Sequence, residues 1–155
     1  MLRESDLTQN RQKPDGVCAG SYGVDCHIIQ RLEIDGKSRV DRPPHISVDP
    51  YDIPYACLTP RELGNLLVPV CCSTTHVADC SLRMEPTYMM LGHAAGAAAH
   101  LAIAGKTTVQ KVETAKLRTI LSQEGAVLDA ASAPPKVTVG SRKGSGKAPL
   151  KAGKE

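Results

Sequence analysis

A chain of 155 residues, 41% of them hydrophobic, has the material for one modest core, and a formal charge of +3 leaves it near neutrality. Phe and Trp are absent, so beyond Tyr22, Tyr51, Tyr55 and Tyr88 the core must be built from Leu, Ile, Val, Ala and Met. The charge is uneven: residues 131–155 carry Lys136, Arg142, Lys143, Lys147, Lys151 and Lys154 against Glu155. These cations are diluted by Gly, Ser, Ala and Pro with no aromatic among them, which reads as a solvated disordered tail and argues against a nucleic-acid partner. The longest mostly apolar stretch, residues 89–104, is broken by His93 and His100 and falls short of the roughly 20 apolar residues a membrane span needs. The opening residues Met1-Leu2-Arg3-Glu4-Ser5-Asp6 lack the apolar centre of a secretory signal, so a cytoplasmic location without membrane contact is expected.

Residues 1–16 are polar and end in the turn signal Lys13-Pro14-Asp15-Gly16, the pattern of a lead-in rather than of a domain start. Residues 24–33 follow a glycine-punctuated turn with β-favouring side chains and run towards Asp35-Gly36, a hairpin signal, which predicts a short strand. Five prolines between residues 41 and 60 predict an extended connection, with residues 51–58 available as one edge strand. Residues 65–70, Asn-Leu-Leu-Val-Pro-Val, form a continuous apolar run and predict a strand covered on both faces. After a loop rich in Cys, Ser and Thr, Pro86 opens and Gly105 closes the best helix of the chain. Gly92, Ala95, Gly96 and Ala99 give that helix a flat side suited to close approach of another backbone. A last amphipathic helix is expected over residues 112–124, with Leu117, Ile120 and Leu121 on one face and Gly125 as its cap. The six cysteines contain no C-x-x-C pair, so they read as reduced, mostly buried thiols with no metal site among them.

A strand, a polar loop and a long helix in succession aim free N–H groups and the positive end of the helix dipole at whatever fills the crevice beyond the strand. The geometry alone says ligand site. The runs YDIPYACLTP, NLLVPVCCSTTHVADCSLRMEPTYMMLGHAAGAAAHLAIAG and KLRTILSQEGAVL, with GSYGVDCHIIQR and LRESDLTQ before them, resemble the C-terminal segment of bacterial FAD-dependent oxidoreductases of the glutathione-reductase-like flavoprotein group. The resemblance implies an α/β fold: an incomplete Rossmann-like FAD-binding domain contributing its last strand and long C-terminal helix, with short β segments and a disordered tail. It divides the chain into a partial substrate-side and connecting segment (1–60), the C-terminal part of the FAD-binding domain (61–130) and the basic tail (131–155).

On that mapping Ser73, Thr74, Thr75 and His76 lie near the isoalloxazine, while Ser81, Arg83, Met84, Glu85, Pro86 and Thr87 form the turn and helix start that face it. Asp25 and His27 match a D-x-H segment on the substrate side. Each residue also has a plainer reading. His76 either acts at the flavin or hydrogen-bonds backbone. Arg83 either pairs with Glu85 or places a cation at the pyrimidine edge of the flavin. Asp25 and His27, on one face of a strand, are either a structural pair or an acid/base pair, and His93 and His100 are packing or surface residues.

The chain departs from the family pattern in three ways, one of which, His93 in place of the glutamine expected there, has no clear consequence. It contains no G-x-G-x-x-G, so the FAD diphosphate lacks its glycine turn. Cys80 stands where the family usually has glycine, which predicts strain if that position needs a positive φ. The expected partners are therefore a small organic substrate and a phosphate-binding half supplied in cis or in trans, and the competing expectation is a non-catalytic remnant that associates through its apolar helix.

Overall fold

The computed structural model describes residues 1–27, 30–41 and 46–132. Its elements run α1 (Glu4–Thr8), β1 (Gly16–Gly20), β2 (Gln30–Ile34), β3 (Lys37–Asp41), β4 (Tyr51–Pro54), α2 (His76–Leu82), α3 (Glu85–Ala104) and α4 (Thr114–Gln123), with 3-10 turns at Tyr55–Cys57, Val109–Lys111 and Ala130–Ser132. Helices and strands mix, and the strands form two separate antiparallel pairs, β1 with β4 and β2 with β3.

The polar opening does more than lead in. The Arg3 N–H donates to the Asp6 carboxylate at 2.8 Å and closes the first turn of α1, while Leu2 and Leu7 are fully buried. Leu2 also pairs with the loop before α2: its N–H donates to the Ser73 carbonyl at 2.9 Å, and its carbonyl accepts the Thr75 N–H at 2.8 Å. In the β1–β4 pair Gly20 lies opposite Tyr51. A Cβ on Gly20 would come within 2.7 Å of Tyr51 Cζ, so the glycine is what lets the fully buried ring lie over the strand.

The Asp35-Gly36 signal is realised as a two-residue turn with φ of 52° and 69°, the positive values such a hairpin requires. The strand expected over residues 24–33 forms only in part. Val24 bridges to Ile46, Asp25 to His27 belong to no strand but alternate outward and inward, residues 28 and 29 lie outside the described ones, and β2 starts at Gln30. The edge strand expected over 51–58 ends at Pro54, where the chain turns into the 3-10 segment.

Residues 65–70 correct the sequence reading. They are irregular, Leu66 and Val70 are 40% and 51% exposed, and the Val68 N–H donates to the Leu58 carbonyl at 2.8 Å. An apolar run becomes a covered strand only when it has ladder partners on both sides; Pro69 has no N–H, and no parallel ladder is present among the described residues. The Rossmann-like last strand is therefore not formed here.

The long helix appears as expected, over Glu85–Ala104, with Gly105 at its C-cap. Its buried positions are Thr87, Leu91, Ala94, Ala95, Ala98 and Ala102, so the face it packs against β1 and α4 differs from the flat side read from the sequence. Gly92 and Gly96 face outward with nothing within 4 Å of an added Cβ, and Met89, His93, His100 and Ile103 lie on that same exposed side. The last helix starts at Thr114, later than expected, because Val109–Lys111 takes a 3-10 turn and Val112 is extended. Leu117 and Leu121 are buried, and Gly125 follows with φ 85°.

One hydrophobic cluster takes residues from Leu2 to Leu128, so both sides of residue 60 contribute to it. No helix among the described residues is long and apolar enough to cross a membrane. The tail expected to be disordered falls, from residue 133 onward, outside the described residues.

Candidate functional site

The stretch read from the sequence as a polar loop contains α2. Thr75 caps it, its hydroxyl accepting the Ala78 N–H at 3.4 Å, and an apolar side made by Ala78 and Leu82 holds it on the core. The eleven-residue region from Ser73 to Arg83 thus becomes a short extended piece stitched to Leu2, one helix, and a tight turn into α3 at Met84.

Apart from His76, the expected site residues fall into three groups. Ser73 is exposed and lines a cleft of about 700 Å³ together with Met1, Cys57, Leu58, Val68 and Cys71. Thr74 and Thr75 are partly covered, Thr74 pairing with Leu2 and Thr75 capping α2. Cys71, exposed and lining the same cleft, has φ 55°, which is uncommon for a residue with a side chain. The strain expected at Cys80 is absent, because Cys80 lies within α2.

The second group turns inward. Ser81 is buried, shares a 2.8 Å hydrogen bond with the Tyr51 hydroxyl and bonds to the Tyr22 carbonyl. Thr87 is buried on the core side of α3. Both side chains are thus committed to the interior.

The third group meets at the turn between α2 and α3. The Arg83 guanidinium donates to the Asp25 carbonyl at 3.1 Å and to His27 Nε2 at 3.1 Å, and no Arg83–Glu85 ion pair occurs among the described residues. Arginine only donates, so Nε2 is the acceptor and the imidazole carries its proton on Nδ1. Asp25 and His27 both face outward with Cys26 buried between them, the alternation the extended reading requires. Met84 is the N-cap of α3, and Glu85 and Pro86 are exposed beside it. Because Pro86 has no N–H, the first turn offers the amides of Glu85 and Thr87.

A fourth feature was not legible. Cys26 Sγ, Cys80 Sγ and a His76 ring nitrogen all lie within 4.8 Å of one another. The sequence signal for it is His76-x-x-x-Cys80, which puts two ligand atoms on one helical face, and it carries weight only once residues 76–82 are known to be helical. His93, a surface residue as expected, reaches Glu124 at 2.5 Å and ties α3 to α4, and His100 is exposed.

A capped α2, a cleft at Ser73 and an exposed start of α3 are set in a fold that mixes helices with small antiparallel sheets, consistent with an α/β fragment. The chain belongs to the FAD dependent oxidoreductase family, whose family model matches residues 1–121. No curated protein and no solved structure matches it. Family membership implies FAD. The residues lining the cleft, Ser73 and the partly exposed Val68 among them, leave room for a flat ring such as that cofactor's. They do not reproduce a glycine turn for its diphosphate.

Proposed function

We propose that this chain supplies the flavin-facing part of an FAD-dependent oxidoreductase acting on a small organic substrate, and that a separate phosphate-binding half, in cis or in trans, completes the cofactor site. Family membership over residues 1–121 is the observation that carries this reading. When bound, FAD would supply the electron or hydride acceptance. The chain's own residues would position and polarise. Ser73 presents a hydroxyl to the cleft, the amides of Glu85 and Thr87 give the start of α3 its positive end, and Met84 and Pro86 set the direction of that start. Arg83 keeps a fixed cation next to Asp25 and His27, where it favours negative charge developing on a bound group. His27 would hold its proton at Nδ1 and Asp25 a carboxylate on the same outward side, which gives the substrate edge one donor and one acceptor.

The outward face of α3 with Met89, Gly92, Gly96 and Ile103 supports the second part of the reading, because two glycines without neighbours leave room for another backbone to pack closely. The same face supports an alternative in which the chain is a non-catalytic association module. The deciding experiment mixes the full chain with an upstream segment that carries G-x-G-x-x-G. Flavin absorbance co-eluting with both pieces and bleaching on reduction is the expected result. A stable pair of polypeptides that holds no flavin would replace the enzyme reading with the association module.

A further inference from the structure

We propose that Cys26, His76 and Cys80 form a binding site for one zinc-class ion, held by two thiolates and one imidazole with water in the fourth position. His76 and Cys80 are four residues apart in α2, so the helix projects both from one side. Cys26 comes from the extended segment that crosses this side. That segment is fixed twice: the Asp25 N–H donates to the Cys80 carbonyl at 3.3 Å, and the Asp25 carbonyl accepts from Arg83 at 3.1 Å. The third ligand is therefore anchored to the same helix as the other two.

The spacing suits the ion. The three ligand atoms lie within 4.8 Å of one another. Tetrahedral zinc, with Zn–S near 2.3 Å and Zn–N near 2.0 Å, needs separations of roughly 3.5–3.8 Å, which lie inside that limit. Both cysteines are buried while His76 is exposed, so the ion has an entry route and solvent a place in the coordination shell. A divalent ion with two thiolates is electrically neutral, which suits a partly buried position. Soft sulfur ligands together with imidazole favour zinc over magnesium or calcium.

The site is independent of the proposed flavin function, in which His76 has no part, and it offers His76 a role other than the flavin-side one implied by the resemblance. The test uses the ion alone, so its failure leaves the flavin reading untouched. The reduced full chain is titrated anaerobically with cobalt(II) and then with zinc(II), following the thiolate-to-cobalt charge-transfer bands and the visible bands of tetrahedral cobalt, with metal content measured after gel filtration. About one ion per chain is expected, zinc should erase the cobalt spectrum, and Cys26→Ser or Cys80→Gly should each remove about half of the charge-transfer intensity. His76→Asn changes an exposed residue, so it should leave the circular dichroism unchanged and weaken cobalt binding by roughly tenfold or more. Cys18→Ser and Cys57→Ser, outside the group, should keep the full spectrum. The proposal is overturned if the reduced chain takes up no ion, if the bands survive in the Cys26→Ser, Cys80→Gly double variant, or if alkylation of freshly isolated chain shows a Cys26–Cys80 disulfide.

Discussion

Cys71 shows how much a single backbone angle decides. Its φ of 55° places a side chain where glycine is the comfortable residue, in the lining of the cleft that Ser73 shares. Cys71→Gly should raise the unfolding free energy by about 0.5–1 kcal/mol, and Cys71→Val should lower it by at least as much, both read from urea denaturation. The sequence reading put this kind of strain nine residues further on, at Cys80, because the comparison with the family pattern identifies which residue is unusual and says nothing about the angle it adopts. Asp25 and His27 were more legible. Alternation along an extended segment is enough to put them on one side, and they are both exposed with Cys26 turned inward. The partner of Arg83 was not legible, since Glu85 is near in sequence whereas His27 is near only once α2 has brought the turn across the extended segment.

The elements divide by whether their determinants are local. α3 was readable because Pro86 near its start and Gly105 after its end punctuate the sequence, and the β2–β3 turn because Asp35-Gly36 accepts positive φ without help from elsewhere. Residues 65–70 were misread because a covered strand is defined by its neighbours, and those neighbours are not encoded in the run itself. α2 was missed for a different reason: its seven residues begin in a Ser/Thr-rich stretch, and its helicity depends on one cap and on the core beneath it. That dependence is testable. Thr75→Ala removes the hydroxyl that accepts the Ala78 N–H and should cost about 1 kcal/mol, with faster amide exchange at Ala78 and Asp79 than elsewhere in the chain. The same helix carries His76 and Cys80, so the variant should also loosen cobalt binding. Gly20→Ala tests the other side of the core: the added methyl meets the Tyr51 ring and should destabilise by about 1–3 kcal/mol in the same denaturation assay.

Across the whole molecule the strongest links join distant segments. Asp52, buried on β4, accepts the Lys13 N–H at 2.8 Å and the Ala130 N–H at 2.6 Å, and Arg118 binds the Gly16 carbonyl and, at 2.6 Å, Asp129. Asp52→Ala strands two covered donors and should lower the unfolding free energy by about 3 kcal/mol, measured from the urea midpoint. Buried thiols and phenols set the alkaline limit. Burial, and for Cys18 the nearby Cys72, pushes Cys18 from 9.0 to about 12; burial then Cys57 does the same for Cys72, and burial moves Tyr51 from 10.0 to about 12. The folded chain keeps these protons while the unfolded chain releases them, so the contribution of these groups to stability is full below pH ~9 and declines between roughly 9 and 12. A lower urea midpoint at pH ~10.5 than at pH ~8 is the expected outcome. The pairing of Leu2 with the Ser73–Thr75 backbone adds a kinetic consequence. The two partners are far apart in sequence, so their pairing must close a long loop while the α3 amides close locally, and a deuterium pulse during refolding should still label the Leu2 and Thr75 amides when the α3 amides are already protected.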